Sequence, residues 1–386
     1  MFPEGPGKKE NVKEELMKGK FHISGLQAAL PALAACLSLA GCFQSEVYQP
    51  RMPMLFSSYA ADKSIERLDT RADDSFIPEG ITSLPDNSSF GVFAYYQEGV
   101  IGSGSSAAWS AGGWSPAFMF NQRVDFDGTN YTYEPLRYWP SNTENTISFW
   151  GYYPYSVYSA GNTGSLKLYE SDRTTPFTKN STGAPSAEYT VNIDPSLQSD
   201  LLFDSFAQTN KTYWNCAPNQ GVVPMLFRHA LCLVEFQIAE GEEAEVRDFE
   251  LTGIYWKGVC PDVTASPIEW TGHSVQTPFT IDTVRVTNSV VCALVLMPQT
   301  ISPSANLSLT FDISYPSFDP SWQEPLEYKN NSGSVLLTSA GISTWQAGKH
   351  YVYKIVAGYE RIEFEEIVDV LDDWTIGNNN IAVPDE

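Results

Sequence analysis

The residues able to do chemistry are few: six Cys, four His and a surplus of acids in a chain of 386 residues. His229, His273 and His350 stand apart, none at metal-ligand spacing from another His or a Cys. HExxH, GxSxG, a P-loop and a dinucleotide fingerprint are all missing from the sequence. Asp125, Asp127 and Asn130 suggest a calcium loop, but the EF-hand spacing is incomplete, and Asp127-Gly128 reads as a hairpin turn. The 46 acidic residues would supply carboxylate pairs for glycoside hydrolysis by chance, and no arrangement singles two out. Asp200 and Asp204, flanking Leu201-Leu202-Phe203, read as turn residues bracketing a strand, and His229 as a hydrogen-bonded edge or core residue. The expectation is a non-enzyme that needs no metal and no cofactor.

Cys42 has the clearest chemistry. It follows Leu39-Ala40-Gly41 at the end of an apolar run that begins near Leu26, with Lys18 and Lys20 ahead of it. A basic segment, a short apolar stretch and small residues at the cut describe a secretory signal, and the run is short for a membrane span. The tetrapeptide resembles a bacterial lipobox, in which the cysteine thiol forms a thioether with lipid and the chain is cut just before it. Cleavage between Gly41 and Cys42 is therefore expected, with acyl chains such as palmitate holding Cys42 in outer-membrane lipid. Met17-Lys18-Gly19-Lys20 opens a signal of ordinary length, so Met17 is the more natural start.

The net charge of −23 stays with the part after Cys42, because the removed segment's five Lys nearly cancel its four Glu. So acidic a chain excludes nucleic acid as a partner and any polybasic grip on anionic membranes. Cys216, Cys232, Cys260 and Cys292 remain beyond Cys42, without CxxC spacing. Cys232 and Cys292 sit inside apolar runs, where a thiol behaves as a small hydrophobe. Export permits disulfides, but free buried thiols are expected.

The elements that would carry these residues read as strands. Abundant Tyr, Phe and Trp, punctuated by Gly, Pro, Asn and Ser, describe an all-β chain. Phe90–Tyr96 is the first convincing strand, and Asp127-Gly128 joins 124–126 to 131–133. The block 147–153 carries large rings on one strand face, enough to centre a core. Residues 159–187 read as a long surface loop. In the second half Cys232, Val234, Phe236 and Ile238 alternate with Glu235 and Gln237, and residues 307–315 alternate without a break. Residues 290–297 form a near-continuous apolar strand, 351–355 another, and 362–371 the last. Glu240–Glu245 reads as a solvated hairpin tip. Trp109 in a Gly/Ser loop is a candidate sugar-stacking ring, whereas Trp114 reads as the buried start of the strand leading to Phe118 and Phe120. A polar stretch at 209–220 divides the chain into sandwiches over 76–215 and 216–375, with a tether and first strand at 42–75 and a tail at 376–386. There is no internal repeat.

Several ordered segments resemble the fimbrillin-like proteins of Bacteroidota type V pili: Thr70-Arg71-Ala72, Ser83–Ser88 into Phe90–Phe93, Tyr138-Trp139-Pro140 with Ile147–Pro154, and Asp200–Phe203. Phe227–Leu231, Leu296–Gln299 and Trp345–Tyr351 with Tyr353 continue the series. The resemblance implies two tandem transthyretin-like Greek-key β-sandwiches and a structural or adhesive role at the cell surface, in a fimbrium or on the outer membrane. It also implies cleavage by an Arg- or Lys-specific protease, best matched here by Arg71-Ala72, with Arg67 and Arg51 as further candidates. The departing strand would lie near 52–59. A neighbouring subunit's strand would then fill the vacated groove; burying about five apolar side chains would contribute on the order of 10 kcal/mol. Donor candidates are 362–371 and the less apolar 376–383. Expected partners are other fimbrial subunits by donor-strand complementation, and host or bacterial surface glycans or proteins. The alternative is an outer-membrane lipoprotein that binds glycans through rings such as Trp109.

Overall fold

The computed structural model describes residues 52–61, 81–82, 84–98, 113–142, 145–204, 210–211, 221–238, 244–286, 289–314, 328–357, 362–364 and 369–371. All belong to one compact unit, Arg51–Glu386; the other unit, Met1–Pro50, lies outside the described residues. Strands and short 3-10 turns make up the regular structure, and among the described residues no helix is long and apolar enough to cross a membrane. The chain is all-β.

The first sheet runs β2 (Ile81–Thr82), β1 (Leu55–Ala61), β11 (Val222–His229), β9 (Leu202–Asp204), β6 (Thr146–Tyr153), β3 (Ser88–Gln97), β4 (Met119–Phe126), β5 (Tyr131–Thr132), with β10 (Asn210–Lys211) also on β6. Both of its faces are covered. Along β3, Phe90, Val92 and Ala94 enter one core while Phe93 and Tyr95 enter the other. Along β6, Ile147 and Phe149 likewise alternate with Trp150 and Tyr152. The rings of 147–153 therefore serve two cores rather than the one face expected, because a sheet covered on both sides tolerates an unbroken apolar strand. Gly91 makes room for this: a Cβ there would stand 2.2 Å from the Tyr152 ring.

Opposite the first sheet lies a second, β15 (Thr271–Ser274), β14 (Lys257–Cys260), β8 (Ser186–Thr190) and β7 (Leu166–Tyr169). Residues 159–187 are thus not all surface loop. Leu166 and Leu168 alternate inward from β7, and Phe177 is buried beside Phe93 and Phe120.

A third sheet orders β17 (Val290–Leu296), β12 (Cys232–Ile238), β22 (His350–Ala357) and β23 (Ile362–Phe364), with β24 (Asp369–Leu371) also on β22. A fourth orders β16 (Phe279–Val286), β13 (Ala244–Thr252), β19 (Asn306–Ser314) and β20 (Tyr328–Leu336). Phe236 of β12 meets Phe249 of β13 edge-to-face at 5.5 Å, and Tyr353 of β22 stacks on Phe236 at 5.4 Å. The single strand expected over 362–371 is two short ones, both laid on β22. A small fifth sheet pairs β18 (Gln299–Thr300) with β21 (Thr344–Trp345).

The chain crosses between these layers. β11 follows residue 216 yet pairs with β1 and β9 in the first sheet, and β14 pairs with β8. One large core cluster accordingly runs from Phe93 and Trp150 through Trp256 and Trp270 to Phe236 and Leu307. Cys232, Cys260 and Cys292 are free and buried, as expected; Cys216 lies outside the described residues. Desolvation holds all three thiols protonated, that of Cys260 pushed up to about 12.

Candidate functional site

The smaller core, on the other face of the first sheet, is completed by β1. Met54, Phe56 and Ser58 alternate inward and are buried, while Leu55 is 37% exposed. Phe56 meets three rings edge-to-face: Tyr133 at 5.3 Å, Phe149 at 5.9 Å and Phe90 at 6.4 Å. Ser58 places a small hydroxyl where the strand passes Tyr131, 2.9 Å from its phenol oxygen.

The backbone of β1 is held mainly from one side. It runs parallel to β11 over six positions, Leu55 opposite Val222 through Ala60 opposite Phe227. On its other edge β2 supplies two pairs, Ala60 with Thr82 and Ala61 with Ile81. Ahead of the strand, Met54 N–H donates to the Arg137 carbonyl at 2.9 Å, and Trp139 N–H to the Met52 carbonyl at 3.0 Å. The Tyr133 hydroxyl donates to the Met54 carbonyl at 2.8 Å. Burial raises the Tyr133 pKa, partly offset by Arg137, so the phenol stays a donor at any physiological pH. Gly221 lets the entry close: its φ is +83°, and a Cβ would come within 3.0 Å of Trp139 Nε1 and 3.1 Å of Met52 Cγ. Trp139 Nε1–H meanwhile donates to the Gly221 carbonyl at 2.9 Å.

Among the described side chains here, the buried apolar ones are Met54, just ahead of β1, and Phe56 within it. Its grip therefore rests as much on backbone pairing and on the phenols of Tyr131 and Tyr133 as on apolar area. Sequence reasoning alone does not reach these two phenols; their signal is the Tyr131-Thr132-Tyr133 alternation, which reads as a hairpin arm.

Cys42, Gly41, Arg71, Ala72 and Trp109 lie outside the described residues. In sequence, Arg71 falls between β1 and β2. Trp114 is half-buried against the large core, but the strand begins at Met119, beyond it. Asp127 closes its turn as expected, its Oδ1 accepting from Thr129 N–H at 2.8 Å and Asn130 N–H at 2.7 Å. Among the described residues no cluster of His, Cys, Asp and Glu could hold a metal. Asp200 and Asp204 are not turn residues but buried acids. Asp200 pairs with Nδ1 of the buried His229 at 2.9 Å, and Asp204 Oδ1 accepts from Leu226 N–H at 3.1 Å. Each offsets the cost of its burial with a specific partner.

The fimbrillin-like family model matches residues 70–374. None of the curated proteins matches the chain. Among solved structures, a fimbrial protein from Bacteroides vulgatus shares 19% identity at a TM-score of 0.51, over 74% of this chain and 93% of its own. A candidate cell adhesion protein from Bacteroides uniformis shares 13% at 0.46, over 84% and 98%. The tip fimbrial protein Mfa3 from Porphyromonas gingivalis shares 12% at 0.34, over 84% and 100%. The first of these shows a shared fold.

Proposed function

The chain belongs to the fimbrillin-like family, and from that premise we propose that it is a structural or accessory subunit of a type V pilus. In this reading it is exported as a lipoprotein on Cys42, reaches the cell surface, and assembles with other fimbrial subunits by strand exchange to mediate adhesion. Its role is architectural, not catalytic. The carrying observation is the place of β1: a strand that precedes Arg71 in sequence, completes a core, and is held by a parallel neighbour and side-chain phenols. Cleavage after Arg71 would sever its covalent link to the body. Removing it would open a slot floored by Phe90, Phe149 and Tyr133, into which a neighbour's strand would fit by β-augmentation. Of the donor candidates, 362–371 already contributes β23 and β24 to its own sheet, and 376–383 lies outside the described residues.

The test is the N-terminal residue of the protein recovered from the cell surface, read beside its migration before and after boiling. A free Ala72 in heat-labile ladders is the expected result for a polymerising subunit, and an acylated Cys42 for an anchor or accessory subunit. Protein that is monomeric in every surface fraction and never co-purifies with a fimbrial subunit would refute the proposal.

A further inference from the structure

A cleft of about 1040 Å³ opens where the far end of β11, the 266–269 loop, β15 and the β18–β21 pair converge. Such a volume is at the upper end of small-ligand sites. It lies beyond the Leu55–Ala60 ladder, which ends at Phe227, whereas the cleft begins at Arg228 and His229.

Its walls are braced from behind. The Gln299 carboxamide accepts from Tyr255 N–H at 2.9 Å and donates to the Tyr255 and Met297 carbonyls, each at 3.0 Å. His273 Nε2 contacts the Pro298 carbonyl at 2.8 Å, and Trp270 Nε1–H donates to the Ala230 carbonyl at 2.6 Å. Arg228 spends its guanidinium on the loop, donating to Ser266 Oγ at 2.9 Å and to the Ala265 carbonyl at 3.0 Å. Groups so tied need little reordering to receive a ligand.

Neither sign of charge dominates the wall: Arg228 lies in the field of Asp204, and Lys349 is balanced in number by Glu269. Beside the exposed Ser266, Pro267 and Glu269, the lining exposes Thr271, Thr300, Thr344 and Gln346, and the half-buried ring of Tyr255 packs against His273 at 5.8 Å. Hydroxyls and an amide both donate and accept, as a polyhydroxylated ligand requires, with Thr271 left as an acceptor because its hydroxyl donates to the Val259 carbonyl at 3.2 Å; an aromatic face suits the ligand's C–H surface.

We propose that this cleft binds a neutral saccharide of one to a few units, with Tyr255 as its ring platform and Thr271, Thr300, Thr344 and Gln346 as its polar contacts. The inference goes beyond pilus assembly, needs no strand exchange, and does not involve Trp109.

The test is titration calorimetry on the unlipidated chain from residue 43, against neutral oligosaccharides (gluco-, manno-, xylo- and galacto-), sialylated and uronic oligosaccharides, and an unstructured Ser/Thr peptide. At least one neutral series should saturate in the micromolar to millimolar range, with Y255A and Q346A each weakening it about tenfold. The thermal melts of both variants should match the parent, and L197A, on an exposed residue outside the cleft, should bind like the parent. If only acidic sugars bind, if only the peptide binds, or if no neutral sugar binds at tens of millimolar, the inference is wrong. Neutral binding indifferent to both cleft variants also overturns it. Ladder formation by the same protein reports separately on assembly.

Discussion

Phe56 is the side chain on which the grip of β1 can be measured. It is 4% exposed and touches three rings edge-to-face, whereas its neighbour Leu55 points outward. Burying an aromatic side chain of roughly 200 Å² at about 25 cal/mol per Å² gives about 5 kcal/mol as an upper estimate. Phe→Ala in cores costs about 3–5 kcal/mol; the lower end applies here, since β2 pairs with β1 at two positions on the described ladders and the slot can partly collapse. F56A should therefore lose about 3 kcal/mol in urea unfolding at constant m-value, and L55A no more than about 0.5. The functional consequence would appear on the proposed cleavage. In protein nicked at Arg71, the same 3 kcal/mol means that the segment 42–71 is retained more than about a hundredfold more weakly. Gel filtration of the nicked protein followed by mass spectrometry of the fractions would show that segment travelling with the wild-type body and leaving the F56A body. Equal urea midpoints for F56A and L55A, or equal retention after nicking, would refute the claim that the insertion of Phe56 contributes to holding β1 in place.

Three further outcomes are expected. G221A places a Cβ at positive φ within 3.2 Å of Trp139, Met52 and Pro53, and should cost about 1–2 kcal/mol by chemical denaturation; hydrogen exchange should rise first in β1. At Glu235, burial pushes the carboxyl upward, but hydrogen bonds from His350 and Gln237 outweigh it and hold the pKa low. That stabilisation is complete above the unfolded-state value of about 4.3 and fades as pH falls through the folded one; E235Q should thus be about 1 kcal/mol less stable than the parent at neutral pH, and the gap should close toward pH 3. An equal gap at both pH values would exclude a lowered Glu235 pKa as its source. Cys232, Cys260 and Cys292 should resist iodoacetamide at pH 8 and react only on unfolding, followed by mass spectrometry of the labelled peptides.

The strands with long alternation were legible, because a half-buried surface repeats every two residues: β12 and β19 appear where the pattern of apolar residues places them. The Asp127 turn was legible too, since Asp and Gly at those positions have a local reason to be there. β7 was not. Its inward pair, Leu166 and Leu168, spans one alternation inside a Ser/Thr/Gly-rich stretch, and only contact with β8 makes it a strand. The burial of Asp200 and Asp204 was hidden for the same reason: their partners, His229 and Leu226, are distant in sequence and arrive only through the β9–β11 ladder. The cleft gathers residues from five separate segments, each of them unremarkable alone.

β11 bears on how separable β1 is. It carries Pro224 in its interior, opposite Ser57 of β1, and proline belongs on strands whose edge is open. The antiparallel partner β9 reaches only Phe227–His229, so β1 alone lies along the rest of β11 on the described ladders. A strand built with proline there behaves as an edge that has been given a cover. In the proposed exchange, Pro224 would interrupt the row of exposed donors and so discourage pairing with an arbitrary strand. An incoming strand would then be selected by its side chains: apolar residues two apart to replace Met54 and Phe56, and next in the alternation a small hydroxyl to meet Tyr131. Parallel pairing would add to this selectivity, since its register cannot be fixed by a short turn and must come from the slot itself.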